Sequence, residues 1–236
     1  MPYCGERSLV KHEEGGKVLL SVRCRSWLCP DCTDQRKRQL IAQAIGGQAS
    51  TFITLTTRRR DDITAQDAAK MLSRSWRLLR LRIIRMKGWK VLPFLAVMEA
   101  HKSGWPHLHV LARCGFIDWH WLKANWIEIT GSPGIRIDLI KSRSQRAGYC
   151  AKYCGKAKHK IGTAKRYWQS RDYDLRPKPE QTFKAAPGEG WDPDPWSIDR
   201  LIASFKSCGW TVERPSKWKA LVRAPPEWRA RGGPVQ

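Results

Sequence analysis

Two histidines separated by a single residue, His107 and His109, lie in the apolar segment PHLHVLAR. This segment has the composition of a β-strand, and side chains along a strand alternate between its two faces. Both imidazoles are therefore expected to point to the same side. Glu99 precedes His107 by eight residues and lies near the end of a second apolar segment, LPFLAVMEA. Two imidazoles and one carboxylate suit a divalent ion, with positions left open for water and a phosphate oxygen.

The residues that join these two segments, HKSGW, contain the Ser-Gly pair typical of a tight connection, so a hairpin is predicted. A hairpin would bring Glu99 alongside the histidine pair and favours the metal interpretation. Without Glu99, a His-x-His pair in a strand is more often two histidines on a half-buried face. His101 shares the face of Glu99 and is a competing ligand.

A second group combines two tyrosines with two lysines, at 149, 153, 152 and 156 in YCAKYCGK. Tyr149 and Tyr153 are four residues apart and would lie one turn from each other on a helix, with Lys152 and Lys156 on a neighbouring face. Tyrosine can act as a covalent nucleophile, but a free phenol has a pKa of about 10 and needs activation by nearby positive charge. Taken alone, the pattern favours an aromatic face packed on a sheet and a lysine face in water.

The third group consists of cysteines near the N-terminus. Cys29 and Cys32 form a C-P-D-C pair, Cys24 lies five residues before them, and Cys4 lies close to the start of the sequence. Four thiolates suit a tetrahedral structural zinc ion. His12 is an alternative to Cys4 as the fourth ligand, and unliganded or redox-active thiols are the alternative to a zinc site. The first residues lack the pattern of a secretion signal, which favours metal over disulfides and a cytoplasmic location.

The composition indicates the kind of partner. The 236 residues include 44 Lys and Arg against 21 Asp and Glu, a formal net charge of +23. Such an excess predicts a polyanionic partner, of which nucleic acid is the commonest and an anionic membrane surface is the rival. No apolar run approaches the roughly 20 residues needed to span a bilayer, so we expect no membrane association.

Several elements are predicted to position these groups. Strands are expected at 17–23, 51–57, 92–100, 106–113 and 134–140, and helices at 33–46, 64–87, 118–130, 143–160 and 197–207. The longest helix begins with Thr64 as its cap and carries Leu72, Trp76, Leu79 and Ile83 on one face. The pattern predicts an α+β fold with a central antiparallel sheet flanked by helices.

Three short motifs together resemble the HUH superfamily of rolling-circle replication initiators. FITLT at 52–56 resembles the first motif of that family, PHLHVL at 106–111 its His-hydrophobic-His motif, and YCAKYCGK at 149–156 its tyrosine motif. The branch that the chain resembles most is that of the two-tyrosine phage and plasmid initiators, like the phage gene A and filamentous-phage replication proteins. The resemblance covers residues 51–156 and implies a palm-like, five-stranded antiparallel sheet.

The resemblance also implies site residues and partners. Mg²⁺ or Mn²⁺ would be held by Glu99, His107 and His109, Tyr149 would be the primary nucleophile, and Tyr153 the second. Lys152 would hold the scissile phosphate or a water, with Lys156 as a further lysine of the site. Basic side chains around the motifs are candidates for DNA binding: Arg58, Arg59, Arg60, Lys141, Arg143 and Arg146.

The implied activity is site-specific nicking and rejoining of single-stranded DNA by a metal-dependent endonuclease in the cytoplasm of a bacterial host. Tyrosine transesterification would leave a 5′-phosphotyrosine link and a free 3′-hydroxyl that starts rolling-circle replication of a phage or plasmid. The expected partners are single-stranded DNA, origin hairpin DNA, and a host helicase and polymerase. The alternatives are an HUH transposase or plasmid-transfer nickase, and a zinc-dependent nucleic-acid-binding regulator without enzymatic activity.

The expected organisation has three parts. Residues 1–48 would form an N-terminal zinc-binding cysteine module with a helix, and residues 49–175 the HUH endonuclease core. Residues 176–236 are rich in proline, glycine and charge, and are expected to form a linker-like segment with a short helix and a basic tail.

Overall fold

The computed structural model describes residues 4–101, 103–155, 161–176 and 190–226, without the side chains of residues 150, 151 and 153–155. Two compact units make up the chain. One consists of Met1–Asp34 together with Pro179–Gln236, and the other of Gln35–Lys178.

The described part of the chain begins with two strands and a helix, after which single strands or pairs of strands are separated by helices. The helices are α1 (Pro30–Gly46), α2 (Ala65–Lys87), α3 (Trp119–Thr130), α4 (Arg143–Gly155) and α5 (Ile198–Ser207). The strands are β1 (Ser8–Glu13), β2 (Gly16–Ser21), β3 (Thr51–Thr56), β4 (Phe94–Ala100), β5 (Pro106–Ala112), β6 (Ile135–Leu139), β7 (Tyr167–Gln169), β8 (Asp192–Asp194), β9 (Thr211–Ser216) and β10 (Lys219–Arg223).

The Gln35–Lys178 unit is built around an antiparallel sheet with strand order β6-β3-β5-β4-β7. The predicted hairpin is confirmed as β4 and β5, which pair from Phe94↔Ala112 to Ala100↔Pro106. β3 lies between β5 and β6, so the FITLT segment is a central strand with neighbours on both sides.

The predicted apolar face of the longest helix packs on one side of this sheet. Leu72, Trp76, Leu79 and Ile83 are buried in one core cluster with Leu55, Met98 and Leu108 from three strands. The Thr64 side chain accepts a hydrogen bond from the Asp67 amide at the start of α2, and Gly88 ends the helix in the left-handed conformation, at a φ of 64°. Because α2 and α3 cover this face, residues 52, 54 and 56 of β3 face the other side.

The second unit contains another five-stranded antiparallel sheet, with strand order β8-β1-β2-β10-β9. Here the structure differs from the single central sheet predicted from the sequence, because the described chain contains two antiparallel sheets and five helices. β8, β9 and β10 come from the segment that was expected to be linker-like. β8 pairs with β1 and β10 pairs with β2, which joins residues far apart in sequence that no local pattern indicates, while β9 pairs with the adjacent β10.

The predicted α+β class is confirmed, with two antiparallel sheets in the described residues. The C-terminal segment was expected to form a separate part, whereas its described portion, residues 190–226, contributes three strands and α5 to the unit that also contains the N-terminal cysteines. In the described part of the chain, no helix combines the length and the apolar character needed to cross a membrane.

Candidate functional site

The register of the central strands brings the proposed metal ligands together. Glu99 on β4 lies directly opposite His107 on β5, and His109 lies two residues further along the same strand. The Oε2 atom of Glu99 is 2.8 Å from Nε2 of His109. Glu99 and His109 are buried, while His107 is half-buried. The three side chains therefore share one face of the sheet, with their polar atoms close to one another.

The protonation of His107 suits a metal ligand. Burial lowers the pKa of His107, and the neighbouring imidazoles of His109 and His101 lower it further, while Glu99 opposes this effect. A lowered pKa keeps the imidazole neutral at pH 7, and the neutral form is the one that binds metal ions.

Two threonines that the sequence analysis did not single out contact the histidines. Thr54 and Thr56 on β3 lie opposite His109 and His107, respectively. The Oγ1 atom of Thr54 is 3.2 Å from Nδ1 of His109, and the Oγ1 atom of Thr56 is 2.8 Å from Nδ1 of His107. The alternation of FITLT places residues 52, 54 and 56 on one face, but the opposing histidines are defined only by the strand register.

His101, the competing ligand, lies beyond the end of β4. Its ring centroid is 5.2 Å from that of His107, and its side chain is exposed. Its Nδ1 atom is 3.5 Å from Oγ of Ser103, and its backbone amide donates to the carbonyl of Trp105 in the turn. His101 is thus near the group but belongs to the connection between the strands.

Tyr149 on α4 reaches the same face of the sheet. Its ring stacks on that of Phe52, with centroids 4.2 Å apart and an interplanar angle of 12°. The Phe52 ring in turn stacks on His109, with centroids 5.7 Å apart and an angle of 6°. The phenol of Tyr149 is therefore separated from His109 by one phenyl ring. A lone tyrosine–lysine pattern could not predict this position, because it depends on how α4 packs on the sheet.

Of the other three candidate residues of the tyrosine motif, the structure describes the side chain of Lys152 alone. Lys152 is exposed on α4, one helical turn after Tyr149. The backbone of Tyr153 continues the helix, while its side chain lies outside the described residues, as does the whole of Lys156. The roles assigned to these two residues remain predictions.

The candidate DNA-binding residues divide into two groups. Arg58, Arg59 and Arg60 are exposed and follow the end of β3 that carries Thr56, with Arg60 paired to Asp62. The others lie at the start of α4, where Lys141 and Arg143 are exposed. Arg146 donates from Nε to the carbonyl of Ala49 at 2.7 Å, so it also joins α4 to the loop before β3.

The net positive charge is concentrated in the unit that contains this group. Gln35–Lys178 contains 30 of the 44 basic side chains and 9 of the 21 acidic ones, which gives +21 of the total of +23. The unit with the cysteines is nearly neutral. The polyanionic partner inferred from composition is therefore expected to bind the Gln35–Lys178 unit.

The N-terminal cysteines form a separate group in the other unit. The sulfur atoms of Cys4, Cys24, Cys29 and Cys32 all lie within 4.8 Å of one another. Cys32 is 3.4 Å from Cys4 and 3.9 Å from Cys24, measured between Sγ atoms. A tetrahedral zinc site with Zn–S bonds of about 2.3 Å separates its sulfurs by about 3.8 Å, so this group could hold a metal such as zinc.

His12 lies apart from the cysteines. It is on β1, and its Nε2 atom is 3.7 Å from Oδ2 of Asp192 on the neighbouring strand β8. His12, the alternative fourth zinc ligand, therefore faces Asp192 across the sheet. Cys4 takes the fourth corner of the group instead.

The thiols of this group have different pKa values. Burial raises the pKa of Cys4 to about 12 and also raises that of Cys32, whereas the backbone amide of Cys32 lowers the pKa of Cys29 to about 7. Burial thus opposes the thiolate form of Cys4 and Cys32, and a bound cation would favour it.

Comparisons with known proteins point to DNA replication. Residues 50–158 match the model of a family described as replication-associated protein ORF2/G2P. No curated protein and no solved structure matches the chain. The matched segment contains β3, β4, β5 and α4, the elements that carry the group around His109 and Tyr149. The chain is thus similar to a family of replication-associated proteins over this segment, which supports a rolling-circle replication initiator.

Proposed function

We propose that this protein nicks and rejoins single-stranded DNA by tyrosine transesterification and so initiates rolling-circle replication of a phage or plasmid. The observation that supports this proposal most strongly is the ring of Tyr149, which lies one phenyl ring from His109 on the face that carries Glu99 and His107. A nucleophile and a cation site that share one face can act on the same phosphate.

The residues of the group fit a divalent cation. Glu99, His107 and His109 offer one carboxylate and two imidazoles. Such a set can hold a divalent ion such as Mg²⁺ or Mn²⁺ and leaves coordination positions open for water and a phosphate oxygen. The buried Glu99 carboxylate already contacts His109, and the half-buried His107 leaves access from solvent. When bound, the ion would supply Lewis-acid polarisation of the scissile phosphate.

The chain's own residues perform the covalent step. The phenol oxygen of Tyr149 forms a bond to phosphorus while the bond between phosphorus and the 3′-oxygen breaks. The phenol proton is lost, and the departing 3′-oxygen takes up a proton to become the free 3′-hydroxyl. The exposed ammonium of Lys152 would stabilise the negative charge that develops on the phosphate.

The phosphotyrosine link conserves the energy of the broken bond, so the reverse reaction rejoins DNA without ATP. Tyr153 would serve as a second nucleophile on the same helix, and Lys156 as a further cation. In this proposal the palm-like arrangement of the HUH family corresponds to the sheet with β3 and β5 at its centre.

We also propose that Cys4, Cys24, Cys29 and Cys32 hold a structural zinc ion. The sulfur separations and the buried positions of Cys29 and Cys32 support this role. A closed set of four thiolates leaves no open position for a substrate, which favours a structural over a catalytic ion.

The direct test is a covalent-trapping experiment. The protein is incubated with Mn²⁺ and a pool of random-sequence single strands labelled at the 3′ end, and the products are separated on a denaturing gel. Because the protein becomes joined to the 5′-phosphate, the labelled fragment should migrate with the protein. Tyr149→Phe should remove most of this band, and Tyr149→Phe with Tyr153→Phe should remove all of it.

Tyr167→Phe is the matched control, because Tyr167 lies on β7 of the same sheet and its hydroxyl contacts Arg36. This variant should keep the covalent band. A band that survives in the double tyrosine variant would overturn the assignment of the nucleophiles. DNA binding without any band would favour the zinc-dependent regulator, and cleavage confined to the ends of a mobile element would favour a transposase.

A further inference from the structure

We infer that Thr54 and Thr56 are positioning residues that hold Nδ1 of His109 and His107, so that Nε2 of each ring is the atom presented to the metal ion. This inference rests on the proposed function, because it concerns the orientation of the ligands in that site. The FITLT motif then has a chemical role through two of its threonines.

The same contact occurs twice, which is the first argument for this role. Thr54 lies opposite His109 and Thr56 opposite His107, and in both pairs the hydroxyl contacts Nδ1. Both strands repeat with a period of two residues, so the two pairs are equivalent positions on one face. A single threonine–histidine contact could be incidental, whereas two equivalent contacts define a common orientation.

The chemistry of the two groups is the second argument. When Nδ1–H of an imidazole donates to a threonine oxygen, Nε2 keeps its lone pair for a metal ion. A hydroxyl can also donate to Nδ1, so it satisfies the ring in either tautomer. This matters for His109, whose Nε2 atom lies 2.8 Å from Oε2 of Glu99. The threonine can therefore hold the ring before and after the ion binds.

His101 supplies a contrast within the same region. Its ring lies near that of His107, but it is exposed and its Nδ1 atom is 3.5 Å from Ser103 in the turn. A hydrogen bond of this length and exposure orients a ring weakly. His107 and His109 thus each have a threonine of β3 at Nδ1, whereas His101, the competing ligand, has a serine of the turn.

The position of Thr56 is itself fixed by several hydrogen bonds. Its amide donates to the carbonyl of Gly134 at 2.7 Å. Its carbonyl accepts from Nε1 of Trp126 and from Oγ of Ser132, both at 3.1 Å. A side chain at Gly134 would place a Cβ atom 3.0 Å from the Cβ atom of Thr56, so it would have to displace Thr56 slightly. The strand end that carries Thr56 therefore has little freedom to move.

The test replaces each hydroxyl by a methyl group of similar size. Thr54→Val and Thr56→Val should each weaken Mn²⁺ binding by about 10- to 100-fold, measured by the electron paramagnetic resonance signal of free Mn²⁺. Thr54→Ser and Thr56→Ser keep the hydroxyl and should bind Mn²⁺ within about threefold of the unaltered protein. With diamagnetic Mg²⁺ bound, nitrogen-15 spectra should show the proton on Nδ1 of His109 and His107, and mixed tautomers only in the valine variants.

Thr51→Val is the matched control on the same strand. Thr51 faces the other side of the sheet and donates from Oγ1 to the carbonyl of Gly115 at 2.8 Å. This variant should lose stability but keep the Mn²⁺ affinity and the tautomers of the unaltered protein. An equal loss of affinity in Thr51→Val would show that the effect is general strain in the strand, and would overturn the inference.

His107→Ala separates this inference from the proposed function. If His107→Ala weakens Mn²⁺ binding while both valine variants bind normally, the metal site stands and the positioning role is wrong. If His107→Ala leaves Mn²⁺ binding unchanged, the metal site itself is wrong, and the inference that depends on it is overturned as well. Weaker binding in His107→Ala and in both valine variants, with serine rescue, supports both.

Discussion

The ring of Phe52 stacks face to face on the ring of Tyr149, with centroids 4.2 Å apart. Phe52 lies on β3, an inner strand of the sheet, and Tyr149 lies on α4, on the proposed active face of that sheet. Phe52 also stacks on His109, so the ring of the proposed nucleophile lies one phenyl ring from that histidine. Tyr149 and the His107–His109 segment are therefore on the same side of the sheet, as a nicking reaction requires.

We predict that Phe52→Leu slows DNA cleavage by about two- to tenfold, because an aromatic pair contributes roughly 0.5–1.5 kcal/mol beyond the area that it buries. The phenol of Tyr149 would then sample positions away from the phosphate. The measurement is the single-turnover rate of covalent complex formation in the presence of saturating Mn²⁺.

Phe94→Leu is the control for this prediction. Phe94 lies on β4 and packs edge-on against Trp76 in the core on the other face. It should lower the thermal stability without slowing the covalent step. Equal rates in Phe52→Leu and the unaltered protein would show that the stack does not position Tyr149.

Removal of the proposed zinc ion should destabilise the unit that contains the cysteines. Stabilisation by a bound ligand is about 4 kcal/mol when its concentration is a thousandfold above Kd, so a strong chelator should lower the Tm of this unit markedly. Cys29→Ser should act in the same way, because it removes a buried ligand. The measurements are the zinc content by mass spectrometry and the thermal unfolding curve.

Cys208→Ser is the matched control for the zinc prediction. Cys208 is an exposed cysteine of the same unit, at the end of α5. Its replacement should leave one zinc per chain and an unchanged unfolding curve. A protein purified with native-like stability and no zinc would contradict the proposal.

DNA binding should depend strongly on salt, because the Gln35–Lys178 unit carries most of the positive charge. For single strands, the slope of log K against log salt changes by about 0.7 for each phosphate contact that is lost. Arg58→Ala combined with Arg59→Ala should therefore flatten the slope by about 1.4. The measurement is fluorescence anisotropy of labelled single-stranded DNA over a salt series.

Arg82→Ala is the comparison for the salt series. The Arg82 guanidinium on α2 contacts Asn125 and both carboxylate oxygens of Glu128 on α3. Since it is already paired within the protein, its loss should leave the slope nearly unchanged. If the slope of log K against log salt is unchanged when Arg58 and Arg59 are replaced, the DNA phosphates contact other basic residues.

The indole of Trp126 should contribute to stability through its N–H group. Trp126→Phe removes the hydrogen bond to the carbonyl of Thr56 and should cost about 1–3 kcal/mol, together with weaker Mn²⁺ binding. Denaturant unfolding and the Mn²⁺ titration measure the two effects.

Trp76→Phe provides the matched control, because Trp76 is also buried but its Nε1 has no hydrogen-bond partner among the described residues. This variant loses indole volume without losing a hydrogen bond. An equal or greater loss of Mn²⁺ affinity in Trp76→Phe would contradict the role assigned to the Trp126 hydrogen bond.

Local patterns in the sequence were sufficient to predict most helices and strands of the Gln35–Lys178 unit. The four-residue and three-residue spacings of Leu72, Trp76, Leu79 and Ile83 correctly predicted the buried face of α2, and Thr64 and Gly88 its ends. The alternation in PHLHVL correctly predicted a strand with both imidazoles on one face. These patterns depend only on the periods of helices and strands, which adjacent residues determine.

The cysteine group illustrates an intermediate case. The C-P-D-C pair and Cys24 are close in sequence and were predicted to lie together. Cys4 and His12 were both open as the fourth ligand, because a chain of this length can bring either residue to the site. The tertiary structure places Cys4 beside the other three sulfurs and His12 beside Asp192 on β8.

The second sheet and the details of the site were decided by tertiary structure alone. β8, β9 and β10 lie in a segment whose prolines and polar residues mask the strand pattern. β8 and β10 pair with the distant strands β1 and β2, and β9 is added to the sheet through β10. The contacts of Thr54 with His109 and of Phe52 with Tyr149 likewise depend on register and on helix packing. Sequence spacing determines which face a side chain occupies, whereas long-range pairing determines which side chains meet across it.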